Sequence, residues 1–320
     1  MDTYSVVLII RNDSSLLECA LRSFNFVEYP RHKFEVIVVD DGSDTPVASQ
    51  FTCDFNFDFK LHYLPRTPFS SRSKARNFGA CLAKHEMLLF IDGDHIVEPD
   101  ILQTYSSYFQ RNEDLSVVLG TRRMTKVARR IEIVDAIKKN GKLCKRYQRL
   151  YQRDVRLSLL EQINTKFFNL HGRWHLFWSC NFCIKKIAYF KVGGFDESFL
   201  GWGLEDVELG YKLYINGYRY ELIDNYVWHL FPKDLPNGAE KYASWLKNMT
   251  IFHQKYQDIR ILAQMEFENI FFFQAGTEKV RHAMDVNWIH KYINFEKKLA
   301  FIESNPNYFV ERLQNISDVN

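Results

Sequence analysis

Through the first 120 residues, short apolar runs alternate with amphipathic stretches. Val6-Val7-Leu8-Ile9-Ile10 is β-branched and too short for a helix, which predicts a buried strand. Asn12-Asp13-Ser14-Ser15 offers helix caps, and Leu16, Leu17, Ala20, Leu21 and Phe24 follow at helical spacing. Residues 34–39 predict a second strand ending in Asp40-Asp41-Gly42-Ser43, and 61–64 a short third one. A helix is predicted over 73–84, then a strand over 87–91 that ends in Asp92-Gly93-Asp94-His95. Residues 98–111 read as a helix and 115–119 as a strand. Such alternation predicts an α/β fold with a mostly parallel sheet covered on both faces. Ligands of open sheets of this kind sit at the carboxyl ends of the strands, where both acidic clusters fall.

Beyond residue 120 the pattern changes. The stretch 121–156 holds 13 Lys/Arg against 3 Asp/Glu, an excess of +10, while the rest of the chain has 29 basic and 36 acidic residues. That asymmetry reads as a basic helical insert, either a solvated helix face or a clamp for an anion. Residues 157–236 return to mixed α/β, rich in aromatics and glycine. From 237 the spacing of Tyr242, Trp245, Leu246, Met249 and Phe252 is helical, so 237–320 is expected to be an α-helical extension. Two domains are therefore expected, 1–236 and 237–320.

Composition adds limits rather than an identity. Of 320 residues, 46% are hydrophobic and 25% charged, as in an ordinary globular protein. The net charge of +3 gives no ground for a nucleic-acid partner. The aromatic share, 16%, favours a cleft in which rings stack on a ligand. No apolar run approaches the ~18 residues of a spanning helix, and the N-terminus lacks the order of a signal peptide. The six cysteines lie among apolar neighbours, as free thiols do; with the lack of a leader this predicts a cytoplasmic protein. Cys180 and Cys183 form a lone CxxC pair without a second pair or spaced histidines, and are not read as a zinc site. The sequons at Asn248 and Asn315 then carry little meaning.

Four clusters carry candidate chemistry. In Asp92-Gly93-Asp94-His95, two carboxylates and an imidazole just past a buried strand can present ligands to Mg²⁺ or Mn²⁺ while leaving room for phosphate oxygens. Acidic turns are common, so the weight of this cluster comes from its position after Leu88-Leu89-Phe90-Ile91. Asp40-Asp41-Gly42-Ser43 reads equally as a turn or as a carboxylate that accepts from a base or ribose. Arg72 and Arg76, four apart at the start of a helix, suit a diphosphate or a base, with simple surface exposure as the competing explanation. In the fourth cluster, Gly201-Trp202-Gly203-Leu204-Glu205-Asp206, glycines allow close approach and the indole offers a stacking face. Of the acidic pair that follows, one member can take a proton and the other can orient substrate; plain N-terminal helix charge is the alternative. His229, after a strand-like segment, is a packed histidine or, beside the DxD, a further metal ligand.

All four clusters in this order resemble family 2 glycosyltransferases of the GT-A fold. The second half is similar to the subset that shares a WGxED element with β-1,4-galactosyltransferases, polypeptide N-acetylgalactosaminyltransferases and bacterial chondroitin polymerase. The resemblance covers roughly residues 4–232 and omits the tail. It implies that 1–120 is a nucleotide-binding half and 157–236 an acceptor and catalytic half. It implies further that Ile10, Arg11 and Asp41 lie on the nucleotide, Arg72 or Arg76 on the base or diphosphate, and Asp92 near the ribose or donor sugar. Asp94 and His229 would ligate Mn²⁺ or Mg²⁺. Asp206 would be the catalytic base of an inverting transfer, with Glu205 on substrate hydroxyls and Trp202 and Gly203 at the acceptor sugar. Two departures stand out. Leu204 occupies a place where many relatives have glycine, which would narrow the donor pocket, and His95 is not a family constant.

The expectation is a metal-dependent, inverting transfer from a nucleotide-diphosphate sugar, with a UDP-sugar implied by the resemblance. The acceptor is left open among glycan, lipid-linked, peptide and small-molecule hydroxyls. So is the use of the helical tail, which could pair two copies, dock on a membrane surface or hold the acceptor. Three readings compete with this expectation. A retaining N-acetylgalactosaminyltransferase-like enzyme usually has Glu-Asn in place of Glu205-Asp206. A nucleotidyltransferase would want a glycine-rich loop where Arg11-Asn12-Asp13-Ser14 stands. A non-catalytic sugar-binding homologue would not need the intact acidic sets.

Overall fold

The computed structural model describes residues 2–50, 55–125, 130–140, 151–230, 238–274 and 286–305. They belong to two compact units. The first comprises Met1–Asp154, Phe177–Leu200 and Glu205–Leu235; the second comprises Val155–Leu176, Gly201–Leu204 and Pro236–Asn320. The basic stretch 121–156, expected as a helical insert, is helical over Arg130–Asn140 and from Val155, but residues 121–125 and 151–152 are strand, because they pair into the sheet; residues 126–129 and 141–150 lie outside the described residues, as does the sequon at Asn315.

Among the described residues, the first unit is built on a nine-stranded mixed sheet. Its strands are β1 (Tyr4–Ile10), β2 (Phe34–Asp40), β3 (Asp58–Tyr63), β4 (Met87–Asp92), β5 (His95–Val97), β6 (Val117–Thr125), β7 (Tyr151–Gln152), β8 (Asn181–Lys185) and β9 (Tyr220–His229). They lie in the order β3-β2-β1-β4-β8-β6-β9-β5, with β7 paired to β6. Parallel ladders hold most of the paired residues: β1 with β2 and β4, β2 with β3, and β6 with β9. β8 runs antiparallel to β4 and β6, and β5 antiparallel to β9.

β1 and β2 are buried along their whole length, which explains their unbroken apolar runs. Helix α1 (Ser14–Phe24) starts where the Asp13 carboxylate accepts from the Leu16 N–H at 3.1 Å, and its Leu17, Ala20, Leu21 and Phe24 enter the main core. Helix α2 (Arg72–Leu82) is capped by Ser71 and passes very close to β1. A Cβ at Gly79 would stand 2.4 Å from Val7 Cγ1, so only glycine allows that approach. Helix α3 (Ile101–Arg111) buries Ile101, Leu102, Tyr105 and Phe109 in the same core. Helix α4 (Arg130–Asn140) buries Ile133, Val134 and Ile137 in a second cluster with Leu16, Cys19, Ile96, Trp228 and Leu230.

The second unit is helical: α5 (Val155–Ile163), α8 (Gly238–Tyr256), α9 (Ile259–Gln274) and α10 (Val286–Ser304). Between α5 and α8 in the chain come α6 (Lys186–Lys191) and α7 (Glu205–Ile215), which belong to the first unit. An aromatic core of Trp174, Phe252, Phe267, Tyr292 and Phe295 fills the helical unit, with Trp174 against Phe252 at 6.2 Å and Phe267 stacked on Phe295 at 4.9 Å. Inside it the His175 Nε2 lies 2.6 Å from a Glu268 carboxylate oxygen that also accepts from Gln264, and the Trp245 indole donates to the other oxygen. Of the stripe on α8, Trp245, Met249 and Phe252 are core, while Leu246 is exposed. Asn248 is 1% exposed and donates to the Gly203 carbonyl, which makes that sequon structural. Two short turns, Phe167–Asn169 and Arg173–Leu176, complete this unit.

Candidate functional site

The parallel registers bring three carboxyl ends side by side. Ile10 of β1 pairs with Asp40 of β2, and Ile9 pairs with Asp92 of β4. A strand's side chains alternate across the sheet, so one register step decides which acidic group faces the cleft. The two aspartates after β2 divide the two readings between them. Asp40 is fully buried and spent on the turn, accepting from Ser43 N–H and Oγ and from Val47 N–H. Asp41 instead pairs with Arg66 at 3.0 Å, and Arg11 and Arg72 add their fields to it. Burial raises the Asp41 pKa, and the three arginines only partly oppose that.

Past β4 the chain turns tightly against β1: Gly93 N–H donates to Ile9 O at 2.9 Å, and a Cβ there would be 2.8 Å from the same oxygen. This turn presents Asp94. Its Oδ1 is 2.6 Å from His95 Nδ1 and its Oδ2 is 3.3 Å from His229 Nε2. The β5–β9 ladder sets His95 directly opposite His229, and their rings stack at 4.4 Å with 4° between planes. Burial pushes the Asp94 pKa up, but the two imidazoles more than offset it and the net shift is downward. Burial also lowers the His229 pKa, which keeps that ring neutral and able to ligate.

Ligand atoms of Asp94, His95 and His229 lie within 4.8 Å of one another, the only such metal-ready group among the described residues. One carboxylate oxygen and one neutral imidazole nitrogen make a donor set that fits a divalent cation. Asp94 and His229 would hold such an ion, with His95 Nδ1 set 2.6 Å from the other oxygen of the same carboxylate.

Arg76 is the hub of the site. It is 3% exposed and donates to Asp92 at 2.9 Å and to Glu205 at 3.4 Å, with its guanidinium 5.1 Å from the centre of the Phe195 ring. Simple surface exposure therefore does not explain Arg76. Arg72 is half-exposed and reaches the same Glu205 oxygen at 3.8 Å. Glu205 thus ties two arginines to the start of α7. Beside it Asp206 is partly buried. Burial first, then the Glu205 charge, raise its pKa to about 7, while Arg76 pulls the other way. Leu204, just before the pair, has φ +73, a conformation that side chains rarely adopt. That is the physical reason a glycine suits this position.

Trp202 and Gly203 belong to the second unit. There the Lys241 ammonium lies 5.0 Å from the centre of the Trp202 ring, and Gly203 has φ +95. The sequence set therefore gathers in the first unit as Ile10, Arg11, Asp41, Arg72, Arg76, Asp92, Asp94, Glu205, Asp206 and His229, while Trp202 and Gly203 are placed in the second. Sequence reasoning missed Arg66, which sits in a loop without periodicity and becomes visible only as the partner of Asp41. His95, a candidate ligand from the cluster after β4 but absent from the set the resemblance implies because it is not a family constant, is put beside Asp94 and His229 by the β5–β9 register.

Comparison with known proteins gives a consistent picture. The model of the glycosyltransferase-like family 2 matches residues 5–224. Validoxylamine A glucosyltransferase of Streptomyces hygroscopicus subsp. jinggangensis is 28% identical over 224 residues, covering 67% of this chain and 51% of the relative. Hyaluronan synthase of Pasteurella multocida is 27% identical, covering 77% of this chain and 26% of that protein. The chain thus spans about half the length, or less, of these curated relatives. Among solved structures, GalNAc-T7 with UDP, GalNAc and Mn²⁺ superposes with a TM-score of 0.58 at 17% identity, over 95% of this chain and 58% of that one. The likeness extends the GT-A fold to this sheet and its helices. With the family match running without a break from β1 into β9, the chain belongs to glycosyltransferase family 2.

Proposed function

We propose that this protein is a metal-dependent glycosyltransferase that moves a sugar from a nucleotide-diphosphate donor to an acceptor hydroxyl with inversion. The observation that carries this reading is the Asp94 carboxylate shared with His229 at the carboxyl ends of the strands. Asp94 and His229 would hold the ion, and the mixed oxygen and nitrogen set favours Mn²⁺ over Mg²⁺. When bound, such an ion neutralises charge on the departing diphosphate. The Mn²⁺ and UDP of the GalNAc-T7 structure support both choices.

The protein's own groups do the rest. Asp41, set by Arg66 and flanked by Arg11, accepts hydrogen bonds from the base or ribose at the end of β1, beside Ile10. Asp92 lies near the ribose or donor sugar, fixed by Arg76, which acts as a brace because both its carboxylate partners are in place. Half-exposed Arg72 is the better placed of the two arginines for the donor. Asp206 takes the proton from the acceptor hydroxyl. The freed oxygen attacks the anomeric carbon opposite the bond to the diphosphate, and that bond breaks with its electron pair leaving on the diphosphate. A base with a pKa near the working pH is efficient at this task, and burial beside Glu205 supplies such a pKa. Trp202 and Gly203 are assigned to the acceptor on the strength of the indole face and the open glycine. The division at 236/237 into a transferase domain and a helical extension is part of this reading, as is the nucleotide-binding role of 1–120.

The test is calorimetry of nucleotide sugars with and without Mn²⁺, followed by turnover. Asp94→Ala should abolish metal-dependent donor uptake, whereas Asp206→Asn should bind donor normally and lose turnover. Donor binding that ignores both the metal and Asp94 would sink the proposal.

A further inference from the structure

The ladders around the proposed metal ligands place one more cation on their face. β6 and β9 pair in parallel, with Arg122 opposite Val227 and Met124 opposite His229. Side chains alternate along a strand, so Arg122 emerges on the same face as His229 and Arg123 on the opposite one. One pairing step across and two residues along put it roughly 8 Å from His229, measured between backbones. The field of Arg122 reaches the imidazole, where it acts to lower the pKa.

The two neighbouring arginines are used very differently. Arg123 is occupied: its guanidinium lies 3.3 Å from the Tyr226 ring centre, with Trp228 at 5.5 Å and Tyr151 at 4.8 Å, and Asp224 pairs with it at 3.9 Å. Arg122 is partly buried against the indole of Trp178, 4.6 Å from its centre; its backbone N–H donates to the Asp154 carboxylate at 3.1 Å, but its guanidinium has no carboxylate partner among the described residues. Every other arginine of the site has one: Arg76 has Asp92 and Glu205, Arg72 has Glu205, Arg66 has Asp41, and Arg11 has Asp44 at 4.0 Å. A ring face holds a guanidinium flat without neutralising it, and leaves its edge of N–H donors for an anion.

We propose that Arg122, held over the Trp178 ring, binds the diphosphate oxygens of the nucleotide donor. This rests on the reading of the site as a nucleotide-sugar site and adds a residue to it. A diphosphate carries more negative charge than one divalent ion bound by Asp94 can cancel. A planar fork on the same face supplies the missing positive charge with bidentate geometry.

The experiment is calorimetry with the full chain and Mn²⁺, using UDP, UMP and uridine as probes and GDP as a second diphosphate for the wild type. Arg122→Gln should weaken UDP about 10- to 100-fold while changing uridine by less than about threefold, the signature of a charge-assisted contact to phosphate. The dependence of UDP affinity on salt should flatten in the variant. If wild type binds UDP and Arg122→Gln binds it equally well, this assignment is overturned and the nucleotide-sugar reading stands. An equal loss of all three probes also overturns it, since that would mark a structural role. A wild type that takes up neither UDP nor GDP with Mn²⁺ overturns both readings. Should Arg122→Gln fail to fold, Trp178→Leu replaces it: a selective loss of UDP is again expected, and unchanged selectivity for UDP over uridine overturns the assignment.

Discussion

A base that titrates near neutrality leaves a signature in the pH dependence of turnover. Asp206 has its pKa raised to about 7, by burial foremost and then by the adjacent Glu205, against the pull of Arg76. Only the carboxylate can accept the acceptor's proton. Below that pKa, kcat/KM should therefore rise about tenfold per pH unit, with about a tenth of the sites active at pH 6 and about half at pH 7. Above about pH 8 it should be level. The decisive perturbation is Glu205→Gln, which keeps the shape of the side chain and removes the charge that raises its neighbour. Its acid limb should move to lower pH, so that activity at pH 6, relative to that variant's own plateau, grows about three- to fivefold. The plateau itself should fall, because Arg72 and Arg76 lose a partner. Asp206→Asn should lose about 10²- to 10⁴-fold at every pH, with no acid limb left. The assay is initial rate against pH with donor saturating, alongside calorimetry of donor binding over the same range to separate the donor's own ionisation. A level profile between about pH 6 and 8, or a limb that moves upward in Glu205→Gln, refutes the assignment of Asp206.

Three further outcomes follow from the same geometry. Arg76→Met leaves Asp92 without a cation and Glu205 with Arg72 alone, and should cost about 2–4 kcal/mol in denaturant unfolding; a loss under about 1 kcal/mol would mean the hub is not structural. Gly79→Ala drives a methyl group into Val7, and overpacking of this kind costs about 1–3 kcal/mol, read as a lowered melting temperature with the site residues untouched. Because the folded-state pKa of Asp206 is raised from its ordinary 3.8, its contribution to stability is present below about pH 4 and is lost as pH rises toward 7. Asp206→Asn should accordingly be more stable than wild type at pH 8, by about 1–2 kcal/mol after allowance for partial exposure, and no more stable near pH 4; equal melting temperatures at pH 8 would contradict it.

How much of this was legible in the sequence depends on the distance over which each residue's role is decided. The strand ends at Asp40 and Asp92 were readable because a buried parallel strand needs an unbroken apolar run, and its end is the first polar residue. Helix α2, expected over 73–84 and found at Arg72–Leu82, was readable for a similarly local reason, though its cap at Ser71 was not. β5 and β8 were not: β5 has only three residues, and β8 buries an asparagine, Asn181, whose side chain bonds the backbone of Thr121 and Asn225. Those strands hold the antiparallel half of the sheet, so the pairing that stacks His95 on His229 had no local signal at all. The same limit applies to charge. Arg72 and Arg76 look alike on a helix face, yet one is half-exposed and the other is closed between two carboxylates from β4 and α7, 16 and 129 residues away. Residue type and spacing announce which chemistry is available; long-range register decides which copy of a residue is committed to the fold and which keeps a charge to spend on a ligand. By that criterion Arg122, identical in type to its neighbour Arg123 and one position away, is separated from it only by which face of β6 it leaves.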